Sequence, residues 1–124
     1  MPKRRILLAL RPVSPVERLF SVAESLCRRM GDELEVLADP AHPRLDFIRA
    51  HLDGLEKAGV ACRLTPTAGL NAAKVVGHAN HHECVVAVVV GRPRAWAGEG
   101  ADPWSKLDCP LVAASDLPHL PEEK

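Results

Sequence analysis

Arginines are the residues of this sequence best placed to bind a ligand. Arg11 directly follows an apolar run at 6–10, and Arg92 and Arg94 follow a second run at 84–90. If both runs are parallel strands of one sheet, their carboxyl ends meet at one edge and bring the three guanidinium groups together. Guanidinium groups bind phosphate and carboxylate anions through paired hydrogen bonds. The pattern predicts an anion or nucleotide site; the plainer alternative, which we prefer, is solvated loop arginines paired with nearby acids.

Trp96 and Trp104 lie in the loop that follows the second run. They make up half of the aromatic residues, since the chain has two Trp, two Phe and no Tyr. An indole at this position could stack on a nucleotide base or close a crevice as a plug. The alternative that we prefer is that both rings cover apolar surface beside a shortened helix.

A third group, at 78–84, has the residue types of a metal site. His78, His81 and His82 share one face of a helical stretch, and Cys84 follows. However, Cys84 is expected inside a buried strand, and no further ligand follows at a fixed spacing. Imidazoles near a helix C-terminus also have an ordinary electrostatic role there. We therefore predict a structural role for these histidines and no metal.

Residues for covalent catalysis do not form a recognisable pattern. Ser14 and Ser115 lack the Gly-x-Ser-x-Gly context, and Cys109 precedes a proline at the expected start of a strand. This argues against a small enzyme with a hydrolase-like α/β fold.

Composition narrows the class of protein. The 124 residues carry 16 Lys and Arg against 16 Asp and Glu, and 47% are apolar. This balance argues against a disordered chain and a nucleic-acid-binding surface. No apolar segment approaches the length of a signal peptide core or a membrane span. The four cysteines form no C-x-x-C pair, so we expect reduced, mostly buried thiols in a cytoplasmic protein.

Strand-like and helix-like segments alternate along the chain. Strands are predicted at 6–10, 34–38, 60–65, 84–90 and 111–114. Helices are predicted at 16–30, 44–58 and 72–82. Ser14 is expected to cap the first helix and Gly31 to end it. This alternation predicts one α/β domain over 1–124 with a five-stranded, mostly parallel, doubly wound sheet and a loose tail at 116–124.

Six short signatures follow one another along the chain: 6–10, 31–37 (GDELEVL), 57–60 (KAGV), 69–76 (GLNAAKVV), 84–91 (CVVAVVVG) and 109–112 (CPLV). In the order of these signatures the sequence resembles the universal stress proteins. The resemblance implies sheet order 3-2-1-4-5 with helices on both faces. It also implies a stress-response role and a homodimer formed through the last strand, here Leu111, Val112, Ala113 and Ala114.

Many members of that family bind ATP where strands one and four diverge. Their motif is an Asp after strand one, then Gly-x-x-Gly, nine residues, and Gly followed by Ser or Thr after strand four. Here Arg11 stands at the Asp position, and only Gly91 and Ser105 match the later motif. Arg94 and Trp104 occupy the other two glycine positions. The glycines matter because a Cβ would keep phosphate oxygens away from the backbone N–H groups.

The helix that should follow the motif is also shortened. Only three residues separate Ser105 from Cys109, where the family has a full helix whose N-terminus faces the phosphates. We therefore predict a non-enzymatic regulatory binding domain of this type without ATP or another cofactor. The alternative is a nucleotide- or anion-binding sensor that uses Arg11, Gly91, Arg92, Arg94 and Ser105.

Overall fold

The structure is a computed structural model that describes residues 4–12, 14–92, 96 and 103–114. Its strands are β1 (Arg5–Leu10), β2 (Glu33–Ala38), β3 (Cys62–Pro66), β4 (Val85–Gly91) and β5 (Leu111–Ala114). Its α-helices are α1 (Val16–Met30), α2 (Leu45–Lys57) and α3 (Ala72–His81), and a 3-10 helix spans Pro103–Lys106. The predicted alternation of strands and helices is confirmed.

All five strands lie parallel in one sheet with the order β3-β2-β1-β4-β5. β1 pairs with β2 from Arg5–Glu33 to Leu10–Ala38, and its pairing with β4 shifts register between Arg5 and Ile6. The predicted fold class and strand order are thus confirmed. Because β1 lies between β2 and β4, the chain leaves the middle of the sheet in two directions, which opens a crevice at the carboxyl edge.

Two apolar layers cover the sheet, one on each face. On one face, α1 and α2 pack through Leu19, Phe20, Ile48 and Leu52 against alternate strand residues. On the other face, α3 and both tryptophans pack against the strand residues whose side chains point to that face. The buried members of this layer are Leu7, Ala9, Leu37, Ala72, Val75, Val76, Ala79, Val85, Val88, Val90, Trp96 and Trp104. The near-continuous apolar strands are therefore buried on both sides, as parallel strands usually are.

The start of α1 differs from the prediction. Its N-cap residue is Pro15, which makes no side-chain cap, and the Ser14 hydroxyl instead accepts a hydrogen bond from the Arg11 backbone N–H at 2.9 Å. The prediction of a Ser14 cap was wrong because this hydroxyl is used to turn the chain after β1. By contrast, Gly31 ends α1 as predicted, with φ of 68° and its N–H donating to the Cys27 carbonyl.

Two strand starts also lie later than predicted. β3 begins at Cys62 because the Val60 N–H still caps α2 by donating to Leu55. Cys84 lies in the turn before β4, where its carbonyl accepts from the Arg5 N–H. All four cysteines are free thiols, and of them only Cys27 is fully buried.

One end of α3 has a cap that the sequence patterns did not single out. The Asn71 side chain accepts a hydrogen bond from the Lys74 N–H at 2.9 Å. Within the described ranges, no helix is both long enough and apolar enough to cross a membrane. The single domain over 1–124 remains a prediction, and the tail at 116–124 lies outside the described residues.

Candidate functional site

The candidate site lies at the carboxyl edge of the sheet, where β1 and β4 end side by side. Arg11 directly follows β1, and Gly91 is the last residue of β4. Both strands are buried up to this edge except at Arg5 and Val86, which are half-buried. The two positions that the sequence analysis placed on either side of a crevice are therefore neighbours in the fold.

Side chains from two loops fix the backbone of Arg11. Its N–H donates to Ser14, and its carbonyl oxygen lies 3.0 Å from Nε2 of His42. The Arg44 backbone N–H donates to Nδ1 of His42 at 3.0 Å, so Nδ1 is an acceptor and Nε2 carries the proton given to Arg11. His42 is only 4% exposed and makes both bonds in its neutral form. The loop after β1 is thus tied to the loop after β2.

Trp96 occupies the space between Arg11 and Gly91. Its indole N–H donates to the Gly91 carbonyl at 3.0 Å, and the Arg11 guanidinium carbon lies 5.3 Å from the indole centroid. Trp104 packs edge-on against Trp96, with ring centroids 5.8 Å apart and planes at 70°. Each tryptophan is 8% exposed. A buried indole therefore lies against the end of β4 beside the arginine side chain.

Both indoles also belong to the apolar layer that α3 forms with the sheet. They are grouped there with Val88 and Val90 of β4, and Leu107 and Leu111 pack against the same cluster. The prediction that the tryptophans cover apolar surface is confirmed. The hydrogen bond to Gly91 adds that Trp96 is also fixed at the crevice.

The remaining predicted site residues are Arg92, Arg94 and Ser105. Arg92 is exposed and has a positive φ of 47°, which is uncommon for a residue with a Cβ. Ser105 is exposed in the 3-10 helix next to Trp104, and Arg94 lies outside the described residues. The anion site built from these residues remains a prediction.

Asn80 connects α3 to the 3-10 segment that carries Trp104. Its Nδ2 donates to the Lys106 carbonyl at 2.8 Å, and its Oδ1 accepts from the Asp108 N–H at 2.9 Å. One amide side chain thus binds a carbonyl group and an N–H group of the same backbone segment. This bridge holds the Trp104 segment against α3.

A second polar cluster lies under α3, around the buried Glu35 of β2. Glu35 is 1% exposed, and its Oε2 accepts from the Thr65 hydroxyl at 2.6 Å and lies 3.1 Å from Nε2 of His78. Its Oε1 accepts from Arg5 at 3.3 Å. His82 lies against His78, with ring centroids 4.4 Å apart and ring planes tilted by 41°. The histidines that resembled a metal site are therefore partners of a buried carboxylate and of each other.

The charges of this cluster follow from those contacts. Burial opposes ionisation of Glu35, but the hydrogen bond from Thr65 and the charges of His78 and Arg5 hold its pKa below the usual value. Burial and the neighbouring His78 lower the pKa of His82. Among the described residues, no group of three or more metal-binding side chains is arranged to hold an ion.

Sequence reasoning missed Glu35 and Asp39. Glu35 had a visible signal, since it is a charged residue between Leu34 and Val36 in a buried strand. Asp39 follows β2 and accepts backbone N–H bonds from Ala41 and Gly69, each at 2.8 Å. Those two bonds lower the pKa of Asp39. The aspartate thus joins the loops after β2 and β3 at the same carboxyl edge.

Comparisons with solved structures give several matches of the same kind. The chain is similar to a universal stress protein from Archaeoglobus fulgidus, with TM-score 0.58, 21% identity, and 90% of this chain and 93% of that chain covered. A structure described as the universal stress protein from the same organism in complex with dAMP has TM-score 0.62 and 19% identity, covering 92% and 99%. Universal stress protein UspA from Lactobacillus plantarum has TM-score 0.55 and 15% identity, covering 92% and 99%.

Scans against protein-family models and curated proteins give no match. The similarity to solved structures extends over nine-tenths of the chain, at identities of 15 to 21%. The chain therefore has the fold of the universal stress proteins.

Proposed function

We propose that this chain is a non-enzymatic stress-response or regulatory binding domain of the universal stress protein type that does not bind ATP. The observation that carries the proposal is the Trp96 indole between Arg11 and Gly91. In the ATP-binding members that the sequence resembles, an Asp and a glycine-rich loop stand at this place. Here a guanidinium and a buried indole replace them.

The packing around the tryptophans supports the same conclusion. Trp104 stands at a glycine position of the motif and is held by Trp96 and by the apolar layer over β4. Moving these rings to admit a nucleotide would expose apolar surface that the fold now buries, which is unfavourable. The domain therefore acts through its surface or through a partner, and not through a nucleotide bound in this crevice.

The thiols support a role without covalent catalysis. Burial is the main cause that raises the pKa of Cys27 to about 11, and it also raises the pKa values of Cys62 and Cys109. A thiol reacts as its thiolate, so these groups are poor nucleophiles near neutral pH.

We also propose that the domain is a cytoplasmic homodimer joined through β5. This strand lies at the end of the sheet order and pairs with β4 through Val88–Leu111 to Gly91–Ala114. An edge strand with apolar residues such as Val112 gains stability by pairing with a second copy. Formation of the dimer would extend the sheet across two copies.

The second candidate function is a nucleotide- or anion-binding sensor that uses Arg11, Gly91, Arg92, Arg94 and Ser105. The dAMP complex of one structural neighbour favours it, because the fold is similar. Gly91 favours it as well: a Cβ there would make an ordinary 3.5 Å contact with Leu19, so packing does not require glycine.

Ligand titration distinguishes the two functions. Trp96 and Trp104 are the two tryptophans of the chain, so intrinsic fluorescence reports directly on the crevice. We expect ATP, AMP, dAMP and inorganic phosphate to give no saturable change below millimolar concentration, with calorimetry as an independent readout. Saturable binding of a nucleotide that Arg11→Gln abolishes would overturn the proposal and establish the sensor.

A further inference from the structure

Three imidazole rings lie together at the C-terminal end of α3. The ring centroids of His78 and His82 are 4.4 Å apart, and His81 meets His82 edge-on at 5.2 Å. His82 is the C-cap residue of the helix, and its backbone N–H donates to the His78 carbonyl at 3.2 Å. Its own carbonyl accepts from the Val85 N–H at the start of β4. The three rings therefore lie where α3 connects to the strand that ends at the candidate crevice.

His78 and His82 differ in their partners. Nε2 of His78 lies 3.1 Å from Oε2 of the buried Glu35, so a proton on His78 forms an ion pair with this carboxylate. The contacts described for the His82 ring are the two neighbouring imidazoles. Glu35 also accepts hydrogen bonds from Thr65 and Arg5. A second proton, on His82, therefore meets a buried carboxylate that is already shared.

The elements packed around this end of α3 carry both signs of charge. Their ionisable groups are Arg5 of β1, Glu33 and Glu35 of β2, Arg63 of β3, His78 and His81 of α3, Glu83 and Cys84 of the turn before β4, and Lys106 and Asp108 beside the helix end. Glu33 lies 3.7 Å from Nε of Arg5, while Glu83 and Asp108 are exposed. Of these groups, Glu35 is thus the one buried acid that balances positive charge near His82.

The surroundings of His82 favour its neutral form. Burial and the charge of His78 lower the pKa of His82, and His81 and Arg5 act in the same direction, while Glu35 opposes them. The partial negative charge at the end of a helix offsets only part of this repulsion, because it amounts to about half an elementary charge. A protonated His82 is therefore better accommodated when its ring moves away from His78 into water.

Asn80 connects this end of α3 to the tryptophans. It lies two residues before His82 and binds the Lys106 carbonyl and the Asp108 N–H, which follow Trp104 in the 3-10 segment. The last turn of α3 also contributes the buried Ala79 to the apolar layer that contains Trp104. A displacement of this turn therefore weakens the contacts that hold the Trp104 segment.

We propose that the last turn of α3, residues 78–82, is a proton-sensitive switch: protonation of His82 beside His78 and Arg5 displaces the turn and, through Asn80, loosens the segment that carries Trp104. Because the pKa of His82 is lowered in the fold, the stabilisation is fully present above the unfolded value of 6.5 and is lost as the pH falls from there through the lower folded pKa. The switch depends on contacts of α3 and not on what the crevice binds, so it is independent of the proposed function.

The test is NMR spectroscopy of the ¹⁵N-labelled chain, with amide hydrogen exchange, between about pH 7.5 and about pH 5.5. Protection of the amides at 79–82 should fall about three- to tenfold, since each unit by which the fold lowers a pKa changes the opening equilibrium tenfold. The amides of α1 at 19–27 should keep their protection, and tryptophan emission should move to longer wavelength over the same pH range. Constant protection at 79–82 and constant emission would overturn the proposal.

Two variants assign the response to its residues. His82→Gln takes up no proton, so protection at 79–82 and tryptophan emission should no longer change with pH. His78→Gln removes the neighbouring positive charge and should raise the pKa of His82, measured from its ring ¹⁵N shifts. This second readout concerns the charge on His78 and holds even if the first variant folds poorly.

His51→Gln is the matched control. It removes the histidine of the other carboxylate pair, with Glu24, where α1 and α2 pack on the opposite face of the sheet. This variant should keep the full acid response of α3. A response that persists in His82→Gln, or a His82 pKa that stays the same in His78→Gln, would contradict the switch.

Discussion

The indole nitrogen of Trp96 lies 3.0 Å from the carbonyl oxygen of Gly91, and both residues are buried. Gly91 is the last residue of β4, so this hydrogen bond takes up a main-chain acceptor at the strand's carboxyl end. The Arg11 guanidinium lies over the same ring from the end of β1. Side chains of the chain itself therefore fill the position between the two strand ends.

Two replacements of Trp96 distinguish how much its hydrogen bond and how much its buried volume contribute to the stability of the fold. Trp96→Phe keeps an aromatic ring but leaves the Gly91 carbonyl without its donor, which should cost about 1–3 kcal/mol of the free energy of unfolding. Trp96→Ala also removes buried area and leaves a cavity, and should cost about 3–5 kcal/mol. Urea denaturation followed by circular dichroism measures both values.

If Trp96→Phe unfolds at the same urea concentration as the wild type, the indole hydrogen bond does not stabilise the fold. If Trp96→Ala gains saturable nucleotide binding that the wild type lacks, the indole blocks a site that is otherwise competent. That second result would support the closed crevice of the proposed function.

Asn80 should control the segment that carries Trp104. Asn80→Ala removes two hydrogen bonds to the backbone of Lys106 and Asp108, at a cost of about 1–2 kcal/mol of the free energy of unfolding. The Trp104 segment should loosen, which shifts the tryptophan emission to longer wavelength as water reaches the ring. Fluorescence spectra and urea denaturation provide the two readouts.

Asn71→Ala is the matched control at the opposite end of α3. It removes the N-cap to Lys74 and should cost about 1 kcal/mol without changing the emission wavelength. A red shift of equal size in both variants would mean that loss of α3 stability, and not the Asn80 bridge, exposes the tryptophans.

The fold was predictable because each strand or helix has its own local apolar pattern, and such patterns recur along the chain. Seven successive apolar residues at 84–90 indicate a strand buried on both faces, whatever its neighbours are. The first residues of the strands were less predictable, because hydrogen bonds at the end of the preceding helix decide where a strand begins. Val60 continues the end of α2 through its bond to Leu55, which no apolar pattern reveals. Ser14 likewise had the residue type of a helix cap but bonds to Arg11.

The site was predictable only to the level of its sheet edge. Arg11, Gly91 and Trp96 could be placed there because they lie at or just after the ends of adjacent parallel strands. The hydrogen bond between Trp96 and Gly91 depends on how a loop folds over the sheet, and it has no sequence signature. His42 was missed for the same reason, since it contacts Arg11 across 31 residues of chain.

The β5 edge gives a prediction on oligomeric state. Ala113 is exposed in the middle of this strand, so Ala113→Glu would place like charges near each other in a symmetric β5–β5 pairing. We expect the wild type to sediment as a dimer and the variant as a monomer in analytical ultracentrifugation. Ala73→Glu, at an exposed position of α3, should remain a dimer.

A wild type that sediments as a monomer at all concentrations would contradict the proposed dimer. If Ala113→Glu stays dimeric while the wild type is also a dimer, the two copies meet through another surface. Either result leaves the proposed closure of the crevice at Trp96 untouched, because the contacts described for that indole are with Gly91, Arg11 and Trp104.

Glu35 makes the stability of the fold depend on pH. Burial opposes ionisation of its carboxyl group, but the hydrogen bonds from Thr65 and Arg5 and the charge of His78 together hold its pKa below the 4.5 of an unperturbed glutamate. The folded chain therefore binds this proton more weakly than the unfolded chain does. The stabilisation is fully present above about pH 4.5 and is lost as the pH falls through the lower folded pKa.

Glu35→Gln should reduce this acid dependence. At neutral pH the variant should be less stable than the wild type, because Arg5 loses its buried anionic partner, and the difference should shrink as the pH falls below about 4.5. Urea denaturation at a series of pH values measures the two curves. The control is Asp53→Asn, whose exposed pair with Lys57 should leave the wild-type curve almost unchanged. A constant difference between wild type and Glu35→Gln at every pH would mean that the pKa of Glu35 is the same in the folded and the unfolded chain, contrary to the lowered pKa.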